Sequence, residues 1–304
     1  MRCKPAHSRA CQRDPIAETI AFFGKYESQH TAGVASVTPL PHLPALTGDL
    51  QSSPAHAGAQ PDADALLTHL QQQLAACRTE LQEFTYTVSH DLRAPLRHIN
   101  AFAQIIEEDW PAMPPEMAGH LATIRQSAQL LTRQLDGLTT LSRLGLQPLQ
   151  LRPVATATVV QEVVDDLARQ WPQRDMIWQL APDLPAVWAD AGMLRLVLAL
   201  LLDNACKFTR HRSPAQISVG WTALASGQCC ISVQDNGVGF NPAQSGQLFK
   251  VFARLHPQRE FEGLGLGLVQ CRKLLQRMGG RISIAAAPNA GCEVTFTLPA
   301  APAV

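Results

Sequence analysis

Residues 62–88 read DADALLTHLQQQLAACRTELQEFTYTV, and their apolar side chains recur at alternating spacings of three and four. A seam with this period lies along one face of an α-helix and predicts a coiled coil or a helical bundle. This stretch therefore begins a long amphipathic helix, which decides the first half of the fold. The seam consists of Leu67, Leu70, Leu74, Cys77, Leu81, Phe84 and Val88.

The seam changes its spacing where the chain continues with FTYTVSHDLRAP at residues 84–95. Beyond Val88 the apolar residues follow at steps of four, at Leu92 and Leu96, which is a local stutter in a supercoil. Successive residues of a helix are about 100° apart, so His90 turns away from the side of Val88 and Leu92 and toward solvent.

An exposed imidazole at this place has two interpretations. It can act as a nucleophile toward a phosphoryl group, with Asp91 holding the other ring nitrogen, fixing the tautomer and accepting the proton. Pro95 would bend the helix beside it and loosen its backbone hydrogen bonds. The other interpretation is an ordinary solvated histidine, and this stretch alone does not separate the two.

A second amphipathic helix follows a proline-rich break. The stretch DWPAMPPEM carries three prolines and must end the first helix near Trp110. Two amphipathic helices joined by a short loop cannot bury both apolar stripes alone. We therefore predict a helical hairpin that pairs with a second copy into a four-helix bundle, so that the protein is a homodimer. The second seam consists of Leu121, Ile124, Ala128, Leu131, Leu135, Leu138 and Leu141.

From about residue 153 the pattern becomes mixed. A helix is predicted at TATVVQEVVDDLARQW, strands at MIWQL and AVWA, and a second helix from Asp190 to about Phe208. Strands QISVGW and CCISVQ come next, then a helix LGLVQCRKLLQRM and strands RISIAA and CEVTFTL. This order predicts a two-layer α/β sandwich with helices on one face of a mixed sheet. The fold class of the whole chain is therefore α+β.

These patterns divide the chain into four parts. Residues 1–60 are rich in Pro, Ser, Gly and His and are predicted to be a mostly disordered leader, with a short helix at 16–26. Residues 61–148 form the coiled coil and hairpin, residues 153–299 the α/β domain, and residues 300–304 a tail.

Composition excludes several classes of function. Lys and Arg together number 25, as do Asp and Glu, so no positive field would collect nucleic acid or an anionic membrane. The longest apolar run, LVLALLL, is far shorter than the roughly 20 residues of a membrane span, and no signal peptide is evident. Eight cysteines without a C-x-x-C pair favour reduced thiols. We therefore predict a cytoplasmic protein.

The α/β domain contains a polar motif at the end of an apolar helix, LLDNACKFT at residues 201–209. Asn204 and Lys207 are three residues apart and share one helical face. The amide oxygen of Asn204 could ligate Mg²⁺, and the ammonium of Lys207 could contact a phosphate. Taken alone, the motif fits a polar helix end at least as well.

Two glycine-rich motifs follow. In QDNGVGF, Asp235 comes at the end of a strand, where its carboxylate could accept a hydrogen bond from an exocyclic amine. Gly237 and Gly239 would let the backbone approach a ligand closely. The sequence GLGLG at 263–267 then opens a helix whose first amides can bind phosphate. Each glycine motif is weak by itself, but the order of all the motifs indicates a nucleotide site.

The motifs SHDLRAPL, DNACKFT, DNGVGF, LFKVFARLH and EFEGLGLGL occur in one order over roughly residues 65–300. In this combination the chain resembles the core of sensor histidine kinases. That core is a HisKA dimerisation and phosphoacceptor domain followed by an ATP-binding domain of the GHKL type, with the Bergerat fold. The stretch FARLHPQREFEG is most similar to kinases of the bacterial phytochrome group.

The resemblance implies a role for each matching position. His90 would be the phosphoacceptor and Asp91 its general base, while Asn204 would hold Mg²⁺, Lys207 would contact the phosphates of ATP, and Asp235 would recognise the adenine amine. The remaining matches would shape the adenine pocket (Gly237, Gly239), anchor the lid between Asn241 and Glu262 (Phe249, Phe252) and form the phosphate-side loop (Gly263, Gly265, Gly267).

Three positions depart from the family pattern. Relatives usually carry a second Asn where this chain has Leu200, and Leu cannot ligate a cation, so catalysis could be slower or Mg²⁺ binding weaker. Leu264 replaces a Thr that is frequent in the glycine-rich loop. Ala94 stands where phosphatase-competent relatives carry Thr or Asn, which predicts weak phosphatase activity.

The resemblance predicts an ATP-dependent, autophosphorylating protein histidine kinase of a two-component system. It would pass the phosphoryl group from His90 to an aspartate of a separate response regulator, and an upstream sensor protein could engage the leader or the coiled coil. The alternative is a non-catalytic dimeric scaffold or phosphorelay module, which Leu200 favours. Another GHKL ATPase, such as a chaperone, would leave the hairpin with His90 unexplained.

Overall fold

Residues 59–302 are described by the structure, a computed structural model. The predictions for the leader, including its short helix at 16–26, lie outside the described residues. Within them, the chain forms the predicted helical hairpin followed by the predicted α/β sandwich.

The hairpin consists of helix α1, Ala59–Asp109, and helix α2, Pro115–Arg143. Helix α1 is 51 residues long and continues through Pro95. It ends two residues before Pro111, because proline offers no N–H to continue the hydrogen-bond ladder. Helix α2 starts on a proline, whose missing N–H would have had no partner in the first turn. The predicted break is therefore confirmed.

Two ion pairs set the register of the hairpin. Arg93 Nη2 lies 2.9 Å from Asp136 Oδ1, and Arg125 Nη1 lies 2.5 Å from Glu107 Oε2. Partly exposed pairs of this kind contribute only about 0–1 kcal/mol each. Their value here is geometric, because they fix which turn of α2 stands beside which turn of α1.

The inner face of the hairpin differs from the predicted seam. Among residues 64–77 and 79–109 of α1, the buried ones are Ser89, Leu96 and Ala103, which are seven residues apart. Val88 and Leu92, predicted to lie on the buried side, are 37% and 46% exposed in the single chain. The reason is that one hairpin covers only one flank of a wide apolar stripe. The other seam leucines of α1 and Phe84 are likewise exposed.

The main sheet has five strands in the order β2–β4–β5–β7–β6. Strand β2 pairs with β4 in parallel and all other pairs are antiparallel, so the predicted mixed sheet is confirmed. The strands are β2 Met176–Leu180, β4 Ala215–Ala223, β5 Gln228–Asp235, β6 Arg281–Ala286 and β7 Cys292–Pro299.

A small second sheet was not predicted. Strand β1, Arg152–Ala155, pairs antiparallel with β3, Ala186–Ala189. The AVWA segment is thus a strand, but it stays outside the main sheet. A four-residue strand containing Pro153 gives almost no sequence signal, since proline is typical of sheet edges.

Three helices cover one face of the main sheet: α3 Thr156–Gln170, α4 Ala191–Phe208 and α5 Gly267–Arg277. Their buried residues share one core with alternate residues of the strands, among them Leu198 and Phe296. Helix α4 begins where predicted, because the Asp190 side chain accepts a hydrogen bond from the Met193 N–H at 3.0 Å and caps the helix.

The hairpin and the sandwich are joined at the end of α2. Lys273 Nζ donates to the carbonyl of Leu141 at 2.8 Å, and Arg277 Nη1 donates to that of Leu144 at 2.6 Å. Both cations come from α5 and satisfy carbonyls at the C-terminal end of α2, where positive charge is favourable.

Among the helices within residues 59–302, none is long and apolar enough to cross a membrane.

Candidate functional site

A cavity of about 380 Å³ opens in the sandwich. Helix α4, the end of β5, the predicted lid and the glycine-rich loop line most of it, and Gly137 and Thr140 of α2 complete the wall. The sheet-and-helix layers therefore bring the separate sequence motifs of the second domain to one place.

Helix α4 presents a stripe to this cavity at positions i, i+3, i+4 and i+7, formed by Leu200, Asp203, Asn204 and Lys207. Lys207 Nζ donates to Asn204 Oδ1 at 2.8 Å, so the predicted pair is in direct contact. Burial lowers the pKa of Lys207, and burial raises the pKa of Asp203, although each opposes the shift of the other. The two opposite charges therefore stabilise each other at the wall of the cavity.

Asp235 lies at the end of β5 in the cavity wall. Its Oδ1 accepts a hydrogen bond from the Gly237 N–H at 2.8 Å. Burial raises the pKa of this carboxyl to about 6, although the backbone hydrogen bonds from Gly237 and Cys292 pull it down. An incompletely satisfied carboxylate in a cavity is suited to accept a hydrogen bond from a ligand.

The glycines after Asp235 are required by the protein itself. A Cβ added at Gly237 would lie 2.6 Å from the carbonyl oxygen of Phe208. Gly239 has a φ of +57°, and its added Cβ would lie 2.0 Å from the carbonyl oxygen of Ala287. The sequence predicts that the backbone at these glycines approaches a ligand closely. In the structure it is neighbouring protein backbone that lies this close, and these contacts shape the floor of the pocket.

The glycine-rich loop passes beside the α4 stripe. A Cβ added at Gly263 would lie 3.5 Å from Lys207 Nζ. A Cβ added at Gly267, the first residue of α5, would lie 3.5 Å from Asn204 Nδ2. Gly265 has a φ of +72° and no room for a side chain, since Ala253 O would lie 2.4 Å away. Gly263 and Gly267 therefore lie beside the predicted pair, whereas Gly265 lies against the backbone of the lid.

The leucines between these glycines contact the hairpin instead. A Cβ added at Gly137 of α2 would lie 2.2 Å from Leu266 Cδ1 and 3.5 Å from Leu264 Cδ1. Leu266 is buried in a small cluster with Leu141 and Val269, against which Leu264 packs. Leu264, which departs from the family pattern, thus forms part of the joint with α2.

The lid is attached near its middle by the two predicted phenylalanines. The Arg272 guanidinium lies 5.3 Å from the ring centroid of Phe249 and also donates to the Phe249 carbonyl at 2.8 Å. Phe252 packs beside Leu264 and has a φ of +62°, a strained value for a bulky residue. Of the lid cations, Arg254 lines the cavity and donates to the carbonyls of Phe261 and Gly263.

Two arginines that follow the C-terminal end of α4, Arg210 and Arg212, were not predicted as part of the site. Arg210 Nη2 donates to both carboxylate oxygens of Glu262, at 2.6 and 2.5 Å, and these hydrogen bonds lower the pKa of that carboxyl. Arg212 Nη2 donates to the carbonyls of Gly237, at 3.2 Å, and of Asn289, at 2.9 Å. The only hint of these arginines in the sequence is their position directly after the motif DNACKFT. His256 and Phe261 of the lid, also missed, line the same cavity.

His90 lies outside the cavity, on α1. Its side chain is 68% exposed, as predicted, and its Nδ1 lies 3.2 Å from Asp91 Oδ1. A carboxylate at this distance favours a proton on Nδ1 and leaves the lone pair on Nε2 free. Arg93 pairs with Asp136, and Arg143 lies 6.0 Å from the Tyr86 ring.

The register of these contacts places His90 beside the turns of α2 between Asp136 and Arg143. Gly137 and Thr140, which complete the cavity wall, lie on those same turns. The α2 wall of the cavity and the imidazole are therefore at one height along the hairpin, although the structure does not bring them into contact.

Two family models match the chain. Residues 80–147 match the His Kinase A (phospho-acceptor) domain, which includes His90. Residues 189–302 match the Histidine kinase-, DNA gyrase B-, and HSP90-like ATPase, which includes the entire α4 stripe, Asp235 and the glycine-rich loop.

Several characterised proteins are similar to this chain. The methanogenesis regulatory histidine kinase FilI of Methanothrix harundinacea (strain 6Ac) is 32% identical over 228 residues, which cover 75% of this chain and 25% of FilI. The phytochrome-like protein Cph1 of Synechocystis (strain PCC 6803) is 30% identical over 239 residues, with coverages of 77% and 31%. The chain thus spans about a quarter to a third of the length of these relatives.

A shorter relative and a solved structure agree with them. The adaptive-response sensory kinase SasA of Synechococcus elongatus is 32% identical over 244 residues, covering 76% of this chain and 62% of SasA. Full-length ShkA, solved in complex with AMPPNP, is 26% identical with a TM-score of 0.52, and the match covers 73% of this chain and 46% of ShkA. The chain therefore belongs to the sensor histidine kinases and contains their phosphoacceptor domain followed by their ATPase domain.

Proposed function

We propose that the chain is an ATP-dependent protein histidine kinase that phosphorylates His90 and passes the phosphoryl group to an aspartate of a separate response regulator. The observation that carries this proposal is the cavity. It gathers Asn204, Lys207, Asp235 and the glycine-rich loop, and α2 completes its wall at the height of His90.

The residues suit each end of ATP. Asp235 can accept a hydrogen bond from the adenine amine, while Lys207 and the amides at the start of α5 can bind the phosphates. In the reaction, Nε2 of His90 forms a bond to the γ-phosphorus as the bond to the β,γ-bridging oxygen breaks, and ADP leaves. Asp91, at Nδ1, acts as the general base and accepts the ring proton as positive charge develops on the imidazole. Positioning supplies most of the acceleration in such a transfer.

The cavity also offers oxygen ligands that fit Mg²⁺. Asn204 would hold the ion, with the carboxylates of Asp203 and Glu262 in the same wall and Leu200 contributing nothing. Within residues 59–302 no three His, Cys, Asp or Glu side chains form a metal site, so the ion would rely on the phosphates for further ligands. When bound, Mg²⁺ neutralises charge on the phosphates.

The protein would act as a homodimer through the exposed apolar stripe of the hairpin. On α1 this stripe includes Leu81 and Phe84, both 65% exposed, and on α2 it includes Ile124 and Leu131, 51% and 49% exposed. A second copy would bury both flanks and complete the four-helix bundle. Apolar patches of this extent are rare on monomers.

Charges placed in this stripe are expected to separate the dimer. The double variant Ile124→Glu, Leu131→Glu would bury four carboxylates in one bundle, which should weaken association at least 1,000-fold. Light scattering after size-exclusion chromatography should then give one chain's mass instead of two. Gln126→Glu, an exposed change on another face of α2, should leave the mass of two chains. A dimer that survives the double variant would exclude this interface.

The response regulator would be a separate protein that docks on the hairpin near His90, and the signal would reach α1 from an upstream sensor protein through the leader or the coiled coil. We propose the cytoplasm as the location, because both ATP and an intracellular regulator are needed. We propose no nucleic-acid partner, because the charge of the chain is balanced.

Labelling with γ-labelled ATP and Mg²⁺ tests the proposal. The purified chain should acquire label that is lost in acid and stable in base, as expected of phosphohistidine. Asn204→Ala should lower the labelling rate about 100-fold, since it removes the amide ligand for Mg²⁺. Binding of ATP without any label would instead support the non-catalytic scaffold that Leu200 favours.

The substitution Leu200→Asn is expected to increase activity. Leu200 lies in the cavity wall one turn before Asn204, so an amide there would add a second oxygen ligand or order a water of the ion. The concentration of Mg²⁺ at half-maximal labelling should fall about three- to tenfold. Leu200→Ala, which only shortens the side chain, should not lower it. Equal requirements for Mg²⁺ in the wild type and Leu200→Asn would contradict the assignment.

A further inference from the structure

His256 lies where the lid meets the adenine end of the cavity. Its Nε2 is 2.9 Å from the carbonyl oxygen of Gly239. A carbonyl only accepts, so the ring must donate through an N–H on Nε2. The imidazole also contacts two aromatic rings, with centroids 5.6 Å away at Phe208 and 5.3 Å away at Phe261.

The acceptor, Gly239, belongs to the pocket floor that follows Asp235. Gly239 has no side chain through which the protein could hold it, and its backbone adopts a φ of +57°. On one side, the neighbouring Val238 carbonyl accepts from the Asn289 N–H at 2.7 Å. On the cavity side, His256 supplies the hydrogen bond that fixes the floor.

The aromatic cluster connects this bond to both ends of the cavity. Phe261 is 3% exposed and is the buried anchor of the second half of the lid. Its ring centroid lies 5.0 Å from that of Phe208, the last residue of α4. Lys207 Nζ lies 4.6 Å from the Phe208 ring, so the lid, the adenine floor and the phosphate-side cation share one cluster.

We propose that His256 is a positioning residue of the ATP site. Its Nε2–H holds the Gly239 carbonyl, and its ring, packed against Phe208 and Phe261, keeps the second half of the lid over the adenine end. The inference rests on the proposed function only in taking the ligand to be an adenine nucleotide. It adds a second attachment of the lid to that made by Phe249 and Phe252.

Two substitutions at one position separate the hydrogen bond from the packing. His256→Phe keeps an aromatic ring and removes the donor. His256→Gln removes the ring, and its Nε2 amide can reach the same carbonyl. His211→Phe is the matched control, because the His211 ring lies 5.9 Å from Phe261 but makes no hydrogen bond to the pocket floor. Thermal melts should first establish that each full-length variant is folded.

The measurements are the Kd of Mg·AMPPNP by calorimetry, and KM for ATP and kcat from the labelling rate. In His256→Phe, Kd and KM should rise about tenfold, because the buried Gly239 carbonyl loses its hydrogen-bond donor and the pocket binds nucleotide less well. The kcat should stay within about threefold, because this hydrogen bond does not change during phosphoryl transfer. His256→Gln should recover Kd to within about threefold of the wild type. His211→Phe should match the wild type.

The inference is overturned if His256→Phe binds like the wild type, if His256→Gln is as weak as His256→Phe, or if kcat alone falls. Should His256→Phe fail to fold, a Kd for His256→Gln near that of the wild type would support it, and a tenfold rise would overturn it. If the wild type binds AMPPNP but acquires no label, the kinase proposal fails while the Kd series still decides the role of His256. A wild type that binds no AMPPNP overturns both.

Discussion

Replacing His90 with glutamine is expected to abolish the acid-labile label completely, whereas the Kd for nucleotide stays within about twofold of the wild type. The side-chain amide of glutamine has no nucleophilic lone pair comparable to that of Nε2. Because His90 is 68% exposed and lies outside the cavity, its removal should change neither the pocket nor the free energy of unfolding by more than about 0.5 kcal/mol.

His98→Gln is the matched control for this experiment. His98 is also an exposed histidine of α1, eight residues further along, and does not line the cavity. This variant should be labelled at the wild-type rate. Label that persists in His90→Gln and disappears in His98→Gln would identify His98 as the phosphoacceptor. Label that persists in both variants would mean that another residue is phosphorylated.

Asp235→Asn is expected to weaken nucleotide binding about 100-fold. The carboxylate of Asp235 accepts N–H groups from Gly237 and Cys292 and still has capacity for an amine. An amide has one acceptor oxygen, so its NH₂ must face either a backbone N–H or the adenine amine. An opposed pair of donors in a cavity costs about 2–3 kcal/mol. Calorimetry with Mg·AMPPNP measures this loss, and a Kd within threefold of the wild type would exclude Asp235 from the adenine site.

Burial of the same carboxylate predicts a dependence of stability on pH. The pKa of Asp235 is about 6 in the folded chain, against an ordinary value of 3.8, so the folded state binds the proton more tightly. Its contribution is therefore fully present below pH 4 and is lost as the pH rises through 6. Between pH 7 and pH 4 the free energy of unfolding of the wild type should gain about 2 kcal/mol relative to Asp235→Asn, as measured by urea denaturation. An unchanged difference would contradict a raised pKa.

The order of helices and strands could be predicted from the sequence because each long element has a strong period or a strong stop. Pro111 ends α1, and the side chain of Asp190 starts α4, both through local chemistry. The small β1–β3 sheet could not be predicted, since its strands are four residues long and its pairing spans about 35 residues of chain.

The site was predictable only where a motif is local. Asn204 and Lys207 share a helical face, so their contact follows from their spacing. The partners of His256 and Arg212 come from distant turns, and only the folded sheet brings them together. The sequence predicts the apolar stripe of α1 next to His90 but not how it is divided, because period alone cannot tell the flank covered by α2 from the flank left for a partner.

The contact at Gly137 has a practical consequence for protein engineering. Leu266 Cδ1 occupies the space in which any larger residue at 137 would place its Cβ, 2.2 Å away. Because that atom is the tip of a flexible side chain, a chimera that fuses this ATPase to the hairpin of another kinase could carry a larger residue at that turn only if the Leu266 side chain moved. Compatibility between exchanged signalling modules would depend, at this joint, on how far the side chain of Leu266 can move.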